Sequence, residues 1–182
     1  KMIASTLQEA NRLNMLCDNI LLASQLDGKA YRESRIENNL SDLVEGCIDT
    51  FKQHYPLRQV TEQIEPSLYL DGETLLLQML VNNLLENAHK YAPQDTEIKV
   101  VLAANGKQIK LEVMDSGKGI PDSEKSKIFE KFYRIGSEAT RNTKGTGLGL
   151  YLCKKIAENH NANISVTDSK PQGSIFVVTF NS

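Results

Sequence analysis

Residues 72–91, GETLLLQMLVNNLLENAHKY, read as one long helix that stops before Pro93. A helix advances about 100° per residue, so its faces can be assigned. Leu77, Val81, Leu84, Leu85 and Ala88 share one side and form the core face. Asn83, Asn87 and Lys90 fall within about 60° of each other on another side, with Tyr91 at its edge. Leu76, Met79 and Leu80 lie on that second side too, so it is not a plain solvent face. His89 points about 120° from Asn83, toward solvent.

Three further motifs follow in order. DSGKGI spans Asp115–Ile120, FEKFYR spans Phe129–Arg134 and GTGLGL spans Gly145–Leu150. Asp115 closes a strand and enters a turn, with Gly117 and Gly119 free to take positive φ and to let a ligand approach the backbone. Gly145, Gly147 and Gly149 precede or begin a helix running to Asn159, where bare amides and the helix dipole favour an anion. Leu148 and Leu150 anchor that turn to the core. The pattern is neither a Walker sequence, since no Lys-Ser or Lys-Thr follows the glycines, nor the dinucleotide GxGxxG. Two amides, a cation and a phenol beside two glycine turns are what a nucleotide triphosphate pocket requires.

The remaining elements extend outward from there. Asn39 or Ser41 caps a helix running to about His54, with Leu40, Val44, Cys47, Ile48 and Phe51 inward. Residues 58–65 and 67–70 alternate like strands. Residues 97–103 and 108–114 form a hairpin turning at Asn105-Gly106. A short helix fits near 123–129, and strands at 163–168 and 174–180 close the chain. This order of strands and helices predicts an α/β (α+β) two-layer sandwich, a mixed sheet packed on helices. Residues 1–27 read as a separate long helix, with Ile3, Leu7, Ala10, Leu13, Cys17 and Ile20 three or four apart and Asp27-Gly28 as its stop. Leu16, Leu21 and Leu22 widen its apolar face, as a helical bundle requires. The polar stretch 29–37 holds the domain boundary.

Composition narrows the classes. With 21 Lys and Arg against 23 Asp and Glu, the net charge of −2 offers no long-range field for nucleic acid or an anionic membrane. Cys17, Cys47 and Cys153 are odd in number and lack CxxC spacing, so they read as buried apolar residues rather than a disulfide or metal framework. No apolar run approaches the roughly 18 residues of a spanning helix, and no signal peptide opens the chain. A start at Lys1 in mid-pattern points to a piece of a longer protein.

The four motifs in this order resemble the N, G1, F and G2 boxes of two-component sensor histidine kinases, over about residues 1–180. The resemblance implies the sandwich of the gyrase/histidine-kinase ATPase type, with residues 1–30 as the second helix of a dimerisation hairpin. Residues 31–182 are then the catalytic domain, with a lid at about 117–146. It implies ATP and Mg²⁺ as ligands. Asn87 coordinates the metal, Asn83 supports metal and phosphates, Lys90 neutralises phosphate and Tyr91 packs beside the nucleoside. Asp115 reads the adenine exocyclic amine, flanked by Gly117, Gly119 and Ile120. Phe129 and Phe132 dock the lid, and Arg134, Arg141 or Lys144 reaches the phosphates over Gly145, Thr146, Gly147, Leu148, Gly149 and Leu150.

The family's acceptor is a His on the first hairpin helix, followed by Glu. His54, His89 and His160 are followed by Tyr, Lys and Asn, so the acceptor is expected before Lys1. The resemblance implies a homodimer through the hairpin, a response-regulator receiver domain as partner, no nucleic acid and no membrane contact by this segment. It implies a cytoplasmic location in a parent anchored in the inner membrane. Two alternatives are a catalytically degenerate ATP-binding docking module and a gyrase-type ATPase. The intact Asn83, Asn87, Asp115 and glycines oppose the first. Against the second stands Asn83 itself, which occupies the position of the water-activating Glu.

Overall fold

The computed structural model describes residues 2–28, 34–136 and 145–181. The chain divides into two compact units, 1–32 and 33–182. In the first, α1 (Met2–Asp27) forms as expected and closes with the Gly28 amide donating to Ser24 O at 3.0 Å. Leu13, Ile20 and Leu21 are exposed along it. Cys17 is exposed too, contrary to the buried role expected of it, whereas Cys47 and Cys153 are buried.

The second unit runs β1 (Ile36–Asn39), α2 (Leu40–His54), β2 (Val60–Ile64), β3 (Tyr69–Gly72), α3 (Thr74–Tyr91), β4 (Ile98–Asn105), β5 (Gln108–Asp115), a 3₁₀ turn (Lys127–Phe129), α4 (Gly149–Asn159), β6 (Ala162–Asp168) and β7 (Ser174–Asn181). Five strands form one sheet in the order β2-β4-β5-β7-β6. The β2–β4 pair is parallel and the others are antiparallel, so the sheet is mixed as predicted. Strict alternation sends Val100, Val113 and Phe176 inward as one rung, and Leu102, Leu111 and Val178 as the next. Each such burial contributes about 1.5–3 kcal/mol, and a slip of one residue would turn every rung to water. Helices α2, α3 and α4 form the second layer.

β1 escaped the sequence reading because IENN lacks alternating apolar residues. Its first two residues fall at the end of the polar stretch assigned to the boundary, and it pairs with β3, Ile36 opposite Gly72. This small ribbon fixes the start of α3, since Asn38 Nδ2 donates to Gly72 O at 2.9 Å and Thr74 Oγ1 donates to Asn38 Oδ1 at 2.6 Å. Asn39 caps α2 by accepting from the Asp42 amide at 3.3 Å. Ser41 instead turns inward and donates to Glu65 O at 2.7 Å. Asn105 still pairs with Gln108, so the hairpin turn is Gly106-Lys107, one residue later than expected. Among the described residues no helix is long and apolar enough to cross a membrane.

Candidate functional site

α3 carries the first half of the site. Leu77, Val81, Leu84, Leu85 and Ala88 are buried as assigned, but Leu76 and Leu80 are buried as well. These two belong to the core rather than to the pocket face, because α4 packs on that side; the Cys153 thiol approaches Leu80 O at 3.7 Å. Asn83, Asn87 and Lys90 are half-buried, and Tyr91 is exposed with the Lys90 ammonium 4.8 Å above its ring. His89 does not point to solvent. Its ring stacks on Tyr55 at 3.9 Å and meets Phe51 edge-on at 5.9 Å, filling the α2–α3 seam. Burial, then the charge of Arg58, holds its pKa below the ordinary histidine value.

The second glycine turn converges on this face. Asn83 Oδ1 lies 3.3 Å from the point where a Cβ on Gly149 would stand, at the first residue of α4. The Lys90 ammonium occupies the space a side chain on Gly145 would need. Thr146 Oγ1 accepts from the Leu148 amide at 3.3 Å, and Leu148 is fully buried. Leu150 is only half-buried, so of the two leucines it is Leu148 that anchors the turn in the core. Arg134 Nη1 donates to Gly145 O at 3.0 Å, which ties the end of the FEKFYR segment to the glycine turn.

Asp115, the last residue of β5, is 4 % exposed, and its Oδ1 accepts from the Gly117 amide at 2.7 Å. Burial pushes its carboxyl above the usual range, while the amides of Gly117 and Ser174 and the charge of Arg58 act the other way. Gly119 has the expected positive φ of 75°, but Gly117 does not. Gly117 is required for space, because a Cβ there would stand 2.7 Å from Asp115 Oδ1 and 2.9 Å from Tyr91 O. Ile120 is half-buried beside this turn.

Between the glycine turns, Phe129 is buried, edge-on to Phe176 at 6.5 Å. Phe132 is instead exposed, with φ 64°, and it is its backbone that packs against Gly147. Tyr133 bonds Glu124, and Lys125 bridges Asp122 and Asp168 at 2.6 and 2.8 Å, fastening this segment to β6. Arg141 and Lys144, both candidates for the phosphates, lie outside the described residues, as do residues 137–144 of the expected lid.

Two residues near Asp115 were missed by sequence reasoning. Gly173, with φ 125°, sits where any side chain would strike the backbone of Asp115; its signal was the turn Pro171-Gln172-Gly173. Arg58 is buried behind the end of α3, and nothing in its local pattern marks it. Among the described residues no cluster of three His, Cys, Asp or Glu could hold a metal. The pocket's oxygen donors are carboxamides, which fit a hard cation that arrives with phosphate oxygens of its own. An open groove between α2 and α3, lined in part by Asp42, Cys47, Gln78 and Asn82, holds none of these site residues.

Residues 72–182 match the family described as histidine kinase-, DNA gyrase B-, and HSP90-like ATPase. The chain is 32 % identical to the sensor protein CiaH of Streptococcus pneumoniae over 97 % of its own length and 40 % of that protein. It therefore spans between about a fifth and two fifths of the length of the curated relatives it matches. Among solved structures, the nucleotide-free catalytic domain of the histidine kinase ThkA aligns at TM-score 0.70 and 26 % identity, covering 81 % of this chain and 97 % of that one. Full-length ShkA in complex with AMPPNP aligns at TM-score 0.80 and 18 % identity, covering 95 % of this chain and 36 % of that one, a likeness of fold. By motif order, fold and these matches, the chain belongs to the histidine kinase-, DNA gyrase B- and HSP90-like ATPase family, as a catalytic domain of the sensor histidine kinase kind.

Proposed function

We propose that this domain binds Mg-ATP and transfers its γ-phosphoryl group to a histidine on a dimerisation helix, whence the group passes to an aspartate of a response-regulator receiver domain. The observation that carries the reading is the meeting of Asn83 with the first residue of α4 while Lys90 packs on Gly145. A carboxamide, a cation and a helix N-terminus thus face one spot, as a triphosphate requires.

Within that reading Asp115 accepts from the adenine amine, favouring adenine over guanine, whose corresponding position is a carbonyl. Tyr91 packs beside the nucleoside, Lys90 offsets phosphate charge, and the carboxamide oxygen of Asn87, supported by Asn83, holds Mg²⁺. The ion supplies charge neutralisation between the phosphates when bound. Residues 1–30 serve as the second helix of the hairpin through which the parent dimerises, and the parent is a membrane-anchored sensor with this segment on the cytoplasmic side.

Transfer rather than hydrolysis follows from what the helix lacks. Asn83, one turn before Asn87, is neutral and cannot take a proton from water. Glu86 is turned away and accepts from the Tyr55 hydroxyl at 3.0 and 3.1 Å. Calorimetric titration with Mg-ATP, paired with a steady-state hydrolysis assay, tests the reading: binding with negligible turnover is expected. Sustained hydrolysis would favour a gyrase-type ATPase, and absence of nucleotide binding would remove the proposal.

A further inference from the structure

Arg58 is a charged side chain that the proposed transfer does not use, yet only 6 % of it is exposed. It follows a tight turn in which its own amide donates to Tyr55 O at 2.9 Å. The guanidinium then enters beneath the last turn of α3. Nη1 donates to Pro93 O, and Nη2 lies 3.5 and 3.4 Å from Ala88 O and Ala92 O. Ala88 O already accepts from the Ala92 amide and Pro93 O from Thr96, so the guanidinium adds charge-assisted donors at the negative end of the helix. Arg58 Nε has no partner among the described residues, so the side chain is held by this one cluster.

The same helical turn leads directly to the base site. It carries Asn87, Lys90 and Tyr91, and Tyr91 O lies 2.9 Å from the point where a Cβ on Gly117 would stand. Gly117 in turn donates its amide to Asp115. Arg58 is also within electrostatic reach of the Asp115 carboxylate, and burial works against both charges while each supports the other. A residue that merely capped a helix would not need to share a charge interaction with the base contact.

We propose that Arg58 is a positioning residue for base recognition, fixing the last turn of α3 and the Asp115–Gly117 turn in one register. Discrimination between adenine and other purines then depends on a side chain that does not touch the nucleotide. The proposal rests on Asp115 being the adenine contact.

The test compares Mg-ATP with the Mg complex of purine riboside triphosphate, which lacks the exocyclic amine. Dissociation constants are measured by calorimetry on residues 1–182, with folding checked by circular dichroism. The wild type should prefer ATP by about tenfold or more, the worth of one charged hydrogen bond, and Asp115→Asn should abolish the preference. Arg58→Met should cut the preference about fivefold or more, and Arg58→Lys, which keeps the charge but loses the planar fork, should fall between. If Asp115→Asn leaves the preference intact, the adenine contact is wrong. If Asp115→Asn abolishes it while Arg58→Met weakens both nucleotides equally, Arg58 is a helix cap and nothing more. Should Arg58→Met not fold, Arg58→Lys decides: an unchanged preference overturns the proposal and a reduced one upholds it.

Discussion

The amide of Phe132 donates to the carbonyl of Gly147 at 3.1 Å, and both residues are left-handed, with φ of 64° and 74°. The FEKFYR and GTGLGL motifs are thereby joined backbone to backbone. A Cβ on Gly147 would stand 2.7–2.9 Å from the backbone of Phe132, which cannot rotate away as a side chain could. Gly147→Ala should therefore add a clash to a backbone strain of about 1–2 kcal/mol. Nucleotide affinity should fall by more than the melting temperature suggests, because the turn must separate from Phe132. Gly106→Ala is the control, since its positive φ is similar but open space surrounds it. Calorimetry showing equal ATP affinity for the two variants would contradict the coupling.

Asp115→Asn should weaken ATP binding by about 2–3 kcal/mol, because an amide donor would face the donor of adenine. Stability should move differently. Burial raises the Asp115 carboxyl in the folded state, so the folded form holds its proton more tightly than the unfolded one. The wild type consequently loses stability as pH rises from about 3.9 upward through the raised value. Asn carries no such charge, so the mutant should gain on the wild type over that window. Urea denaturation at acid and neutral pH checks the sign, and a difference that does not change with pH would refute it.

Asn87→Ala should abolish the magnesium dependence of nucleotide binding while leaving the fold intact. Glu86→Ala is its contrast. It removes the acceptor of the Tyr55 hydroxyl, costing about 1 kcal/mol of stability, and leaves the metal dependence unchanged. Titrations with and without Mg²⁺ separate the two, and loss of metal dependence in Glu86→Ala would reverse the face assignment.

What was legible in the sequence was whatever periodicity or motif spacing encodes locally. The α3 core face, the hairpin strands and the two glycine turns follow from repeats of 3.6 and 2 residues and from turn chemistry. What escaped depends on distant partners. IENN becomes a strand only because β3 lies beside it. Leu76 and Leu80 leave the pocket face because α4, about 70 residues later, covers them. His89 turns inward because Tyr55 offers a ring to stack on. Arg58 has no local signature, since its acceptors are 30–35 positions away.

Residues 1–182 should bind Mg-ATP yet fail to label themselves from γ-labelled ATP. None of the three histidines combines the flanking acid with a free, reachable ring. His160 is 3 % exposed; its Nε2 accepts from the Glu73 amide at 3.0 Å and its Nδ1 lies 2.7 Å from Ile156 O, so both nitrogens serve the α3–α4 junction. His89 is packed on Tyr55 with a buried Nδ1. His54 ends α2 with its Nδ1 3.2 Å from Thr50 O and is followed by Tyr55, not an acid. Adding an upstream helix that carries His followed by Glu should restore label that is acid-labile and base-stable. Label on residues 1–182 alone that disappears in His54→Gln would identify a different acceptor and undo the proposed route.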